Sequence, residues 1–185
     1  MASTDSPPPV ISRDTKDWTW VLRERCSDCG LDAGSIDVAE VPRMIRENAT
    51  AWRAVLTGDG VRERPAEGVW SPLEYGCHVR DVYRLFDDRL RLMLDTDDPL
   101  FPNWDQDRTA VEQRYDLTNP VVVTGELTGA AEWLAASFEA VPEGAWHRVG
   151  RRSDGAVFTV ESLARYLVHD PVHHLHDVLS PRLSG

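Results

Sequence analysis

Apolar residues recur along this chain in four blocks with the 3.6-residue period of amphipathic helices, and between the blocks that period is lost. In the first block, residues 38–56, Val41, Met44, Ile45, Ala49, Trp52, Val55 and Leu56 share one face. Asp37 and Glu40 stand three apart, as in a capping box, and Pro42 blurs the start by a turn. Gly58-Asp59-Gly60 ends the block. The second block starts most sharply. Ser71-Pro72-Leu73-Glu74 offers serine as N-cap, proline at the first helical position and glutamate at the third. It runs to about residue 94, and His78 and Arg89 lie within its apolar stripe beside Val79, Val82, Phe86 and Met93. Asn119-Pro120 opens the third block, with Val123, Leu127, Leu134 and Phe138 inward, and Pro142 stops it. Thr159 caps the last, residues 160–179.

The connecting stretches read differently. Residues 96–106 are a predicted loop and 108–115 a short helix. Asp154-Gly155, flanked by short apolar runs, predicts a small hairpin or irregular loop before the last helix. Residues 1–17, with Pro7-Pro8-Pro9, lack the apolar content to pack and are expected to be a disordered tail. Residues 18–185 then form a single domain. Its first cluster, Trp18-Thr19-Trp20-Val21-Leu22, is expected to dock as an extended or short helical arm, followed by the tight loop Cys26-Ser27-Asp28-Cys29-Gly30. Four helices of this length predict an all-α fold, a four-helix bundle.

Charge narrows the function. With 31 acidic against 20 basic residues, the net charge of −11 argues against nucleic acid and against anionic membranes as partners. No apolar run reaches the roughly 18 residues of a membrane span, and no basic stretch followed by an apolar core marks a secretory signal. The expected compartment is a reducing cytoplasm. The three cysteines give no disulfide framework. Cys26 and Cys29 are half of a zinc ribbon without its second half. Plain loop cysteines, a redox pair and extra metal ligands, shared with His176 or with a main site, all stay open. Lys16 is the single lysine, a bias toward arginine that fits a GC-rich genome.

The histidines carry the chemistry. Four of the six fall in His169-Asp170-Pro171-Val172-His173-His174-Leu175-His176. His169 and His173, at i and i+4, lie on one helical face where two imidazoles can grip one cation. His176 also falls on that face, one turn further on, and His174 points elsewhere. A helical wheel raises an objection, since Val160, Leu163, Leu167 and Leu175 lie roughly opposite His169 and His173. A kink at Pro171, or a site in a cleft at the bundle's end, would soften it. His78, on the inward face of another helix, supplies a third ligand, and catalytic zinc commonly takes three and keeps one position open.

Trp70-Ser71-Pro72-Leu73-Glu74-Tyr75-Gly76-Cys77-His78 resembles the W-S-x-x-E-x-x-x-H helix of the DinB-like superfamily, and His169 to His173 resembles its H-x-x-x-H on the last helix. That superfamily includes mycothiol-dependent maleylpyruvate isomerases and bacillithiol transferases. The resemblance spans about residues 38–179. It implies a four-helix bundle and a three-histidine site for zinc or nickel at His78, His169 and His173. It also implies an open position for the sulfur of a thiol cofactor such as mycothiol. His176 stands where many members carry glutamine. Glu74 either orients His78 and moves a proton or serves as the capping-box residue. Arg89 and Tyr166 are candidates to line a cleft that binds the cofactor, and Trp104 could cover it. The expectation is a metal-dependent thiol S-transferase or isomerase acting on a small electrophile, in a chain that is a candidate homodimer. The alternatives are a metal-dependent hydrolase and a non-catalytic metal- or ligand-binding stress protein.

Overall fold

The computed structural model describes residues 16–180. The first helical block starts later than its pattern suggests. Asp37 caps a 3-10 turn over Val38–Glu40 by accepting from the Ala39 amide at 3.1 Å, and helix α1, Val41–Leu56, follows. Pro42 explains the shift, because it is tolerated only in the first turn, where its missing N–H costs nothing. Helix α2, Pro72–Asp95, begins with the expected capping box: Ser71 Oγ accepts from the Glu74 amide and Glu74 Oε2 from the Ser71 amide. Short helix α3, Gln106–Glu112, starts two residues earlier than expected because Asp105 caps it. Helix α4, Pro120–Glu139, is capped by Asn119, and α5, Val160–Leu179, by Thr159. Helix α5 runs on through Pro171.

Three short strands complete the elements. Strands β2, Val149–Arg152, and β3, Val157–Thr159, form the expected hairpin, turning at Gly155 with φ +98°. Strand β1, Leu100–Phe101, pairs parallel to β2 within a stretch that reads as loop. Two residues are too few to show period-two alternation, so only the partner strand reveals them.

Helices α4 and α5 each pack against both α1 and α2, which places α1 diagonally across from α2. The centre is filled by Trp52, Leu73, Leu90, Leu127, Leu134, Phe138, Leu163 and Leu167, all 2% exposed or less. Burying each such side chain contributes about 1.5–3 kcal/mol. One polar strut crosses this core. The buried Asn48 of α1 donates to the Pro171 carbonyl at 3.0 Å and accepts from the Tyr83 hydroxyl at 2.7 Å.

The expected tail, residues 1–17, lies outside the described residues apart from Lys16 and Asp17. Asp17 caps a 3-10 turn over Trp18–Leu22, so the apolar cluster docks as a short helical arm. A second 3-10 turn, Ala33–Ser35, follows, and both turns lie against α5. The bundle thus carries a partial outer layer over the face of α5 turned away from the core.

Candidate metal centre and cleft

Helix α5 carries two i, i+4 pairs one residue out of step, and each pair meets different partners. Asp170 and His174 face α2, where His78 is fully buried. His78, Asp170 and His174 each offer a ligand atom, all within 4.8 Å of one another. His78 Nε2 lies 3.2 Å from Asp170 Oδ1, and the His174 ring stands edge-on to His78 at 4.9 Å between centroids. Trp104 stacks parallel on His78 at 5.2 Å, and Trp70 packs against it at the same distance. His78 Nδ1 is buried without a hydrogen-bond partner. Burial pushes the Asp170 carboxyl up, but the imidazoles of His78 and His174 outweigh it and hold the group well below the usual carboxylate range. Asp170 is therefore ionised at neutral pH.

His169 and His173 lie on the outer face of α5, under the amino-terminal arm. Trp18 packs on both rings, at 5.5 and 5.0 Å. Cys26, Cys29, His169 and His173 make a second group whose ligand atoms lie within 4.8 Å of one another. Burial, helped by His173, depresses His169 from 6.5 to about 4, and burial lowers His173 too. Burial also lifts the Cys29 thiol to about 11.

A cleft of about 490 Å³ opens between α2, α5, the hairpin, the start of the amino-terminal arm, and the 103–105 loop with the first turn of α3. Asp170, His174 and Trp104 line it, together with Arg89, Arg152 and Tyr166, and Trp18, His169 and His173 border it where it meets the arm. Arg89 is 5% exposed and donates to the Pro102 carbonyl at 3.1 Å, while its Nε has no partner. Burial and the neighbouring Arg152 push Arg89 down to about 10, so it stays charged at neutral pH. Arg152 pairs with Asp154 at 2.9 Å and donates to the Tyr166 hydroxyl at 3.3 Å.

The structure therefore brings His169 and His173 together but sets His78 in the other group, with Asp170 and His174. His174, expected to point elsewhere, is a neighbour of His78. His176 is exposed and bonds Ser180 Oγ at 3.0 Å, away from both groups. Glu74 is the capping residue: its carboxylate accepts from Ser71 and Arg64 and does not line the cleft. Arg89, Tyr166 and Trp104 do line it. Cys77 is buried, with its thiol lifted to about 11 by burial. The signal for Asp170 and His174 was in the sequence. They border the apolar arc of α5, whereas His169 and His173 lie opposite it.

Comparison with known proteins agrees with this architecture. The family model for the DinB superfamily matches residues 43–178. Among solved structures, YfiT from Bacillus subtilis superposes with a TM-score of 0.68 at 17% identity, covering 77% of this chain and 86% of that one. YfiT is described as a probable metal-dependent hydrolase with an unusual four-helix bundle topology. At that identity the likeness is one of fold. No curated protein matches the chain. No helix among the described residues is long and apolar enough to cross a membrane.

Proposed function

This chain belongs to the DinB superfamily, and from that premise we propose that it is a metal-dependent enzyme that joins a low-molecular-weight thiol such as mycothiol to a small anionic electrophile. The metal is divalent, zinc before nickel, and His78, Asp170 and His174 hold it. The observation that carries the reading is their convergence, with Asp170 and His174 at the wall of a cleft that also holds two arginines and His78 buried directly behind them. The donor set fits. Two imidazoles and one ionised carboxylate make three protein ligands and leave a coordination position open, as catalytic zinc requires. When bound, the cation supplies Lewis acidity at that open position.

The chain's own residues do the rest. The Arg89 guanidinium, buried with one donor unserved, and Arg152 beside it bind the negative group of the substrate. Arg152 keeps the Tyr166 hydroxyl turned toward the same region. Phe86 and Phe101 pack against Arg89, 5.2 and 4.9 Å from its guanidinium, and hold it in place. Trp104, stacked on His78, keeps that side of the triad dry, where charges act more strongly.

The test is turnover by the zinc-loaded full chain on a panel of small electrophiles bearing a carboxylate, with and without mycothiol. Thiol-dependent consumption, with a product of matching mass or an isomer, is the expected result. His174→Ala should lower it by about 100-fold or more. Consumption that ignores thiol would favour hydrolysis, the second reading, which the described activity of YfiT supports.

A further inference from the structure

We propose that Cys26, Cys29, His169 and His173 form a second, closed zinc site that clamps the amino-terminal arm to α5, independent of the centre at His78. The four ligand atoms already sit within 4.8 Å of one another. Cys26 Sγ lies 3.6 Å from His173 Nδ1. A tetrahedral zinc ion, bonded to sulfur at about 2.3 Å and to nitrogen at about 2.1 Å, sets its sulfur and nitrogen ligands about 3.6 Å apart. Neither cysteine is in a disulfide. His169 Nε2 is buried and has no hydrogen-bond partner, an uncommon state that a bound ion would satisfy.

The backbone around the cysteines is shaped for the same purpose. The Cys26 amide donates to the Leu31 carbonyl at 2.8 Å, and the Gly30 amide donates to the Cys26 carbonyl at 2.9 Å. Gly30, at φ +74°, supplies the left-handed turn that brings the Cys-x-x-Cys loop back on itself. Two thiolates and two imidazoles are a complete tetrahedral set for zinc, with no position left for substrate. Zinc binding would release the two thiol protons to solvent.

A clamp would add to the arm's apolar packing. Of its residues 18–36, Val21, Cys26 and Ala33 are the buried apolar side chains, and Leu22, Leu31 and Ile36 pack only in part against the core. The cysteines also precede the family match, which begins at residue 43, so the clamp is an addition to the family's bundle. Because Asp170 and His174 alternate with His169 and His173 on α5, fixing one pair fixes the other.

The experiment uses the full chain, stripped by chelator under reducing conditions and reloaded with cobalt(II), then in parallel with zinc. The wild type should show thiolate-to-cobalt charge transfer in the near ultraviolet and the intense visible bands of a tetrahedral ion. Cys29→Ser should lose the charge-transfer intensity and one zinc equivalent, whereas His78→Ala should keep the charge-transfer intensity and lose only the zinc equivalent of the cleft centre. Loss of metal in His78→Ala without loss of the thiolate band separates the two sites. A wild type that binds zinc only through the thiolate site would sink the functional reading and leave this one standing. Thiol titration of the unmodified chain covers the case in which a variant fails to fold. Two thiols should be shielded with zinc bound and react once chelator is added, with core Cys77 silent in both states. Absence of the thiolate band in reduced wild type, or thiol reactivity indifferent to zinc, overturns the proposal.

Discussion

A histidine with no exposure, stacked on one indole, packed against a second and with one ring nitrogen unserved, is an expensive residue for a bundle core to carry. His78 persists there with its Nε2 3.2 Å from an ionised Asp170, the pairing on which the proposed metal centre rests. Glu74, one turn earlier, has a different task. Its carboxylate closes the capping box and neutralises Arg64, so Glu74→Ala should cost about 1–3 kcal/mol in a denaturant melt. Metal content should not change. Loss of metal in that variant would assign Glu74 to the centre. Arg89→Met removes the buried charge and keeps most of the volume. It should raise KM by about 10- to 100-fold, leaving bound metal intact, as expected for a group that binds substrate rather than metal. The outer histidines set a pH dependence. In metal-free protein, His169 is held neutral down to about pH 4, whereas an unfolded histidine takes up its proton near 6.5. Stability is thus full above the unfolded value and declines as pH falls through that window. Thermal midpoints of the chelated chain should drop from about pH 7.5 to pH 5, and a flat profile would contradict the buried, neutral state assigned to His169 and His173.

At the scale of elements, the long helices were legible because each has both a period and a cap. Ser71, Asn119 and Thr159 start α2, α4 and α5 where the residues say they should. Strand β1 was not legible, since its two residues owe their conformation to β2. The site was half legible. The wheel of α5 placed His169 and His173 opposite the core, and the structure resolves that objection by covering them with the arm, while Asp170 and His174 at the edge of the apolar arc reach His78. No sequence period reveals a second layer, because its contact with α5 lies more than a hundred positions away in the chain, as Cys26 to His173 shows. The inter-helix strut gives a direct test. Asn48→Ala strands the Tyr83 hydroxyl and opens a cavity beside Pro171, at a cost of about 2–4 kcal/mol. Tyr83→Phe, which leaves the Asn48–Pro171 bond, should cost less.

At the scale of the molecule, a DinB bundle supplies a rigid frame, the hairpin, the 103–105 loop and the start of α3 close one side of a cleft, and an amino-terminal arm covers α5 from outside. The frame divides the histidines of one helix between two tasks, inward toward α2 and outward toward the arm. The central claim is the inward assignment. The most direct measurement is a crystal structure of the zinc-loaded chain with anomalous data on both sides of the zinc edge. An anomalous peak bonded to His78, Asp170 and His174, facing the cleft, is the expected result. A peak bonded to His78, His169 and His173, or none at His78 in crystals grown with zinc, would contradict it.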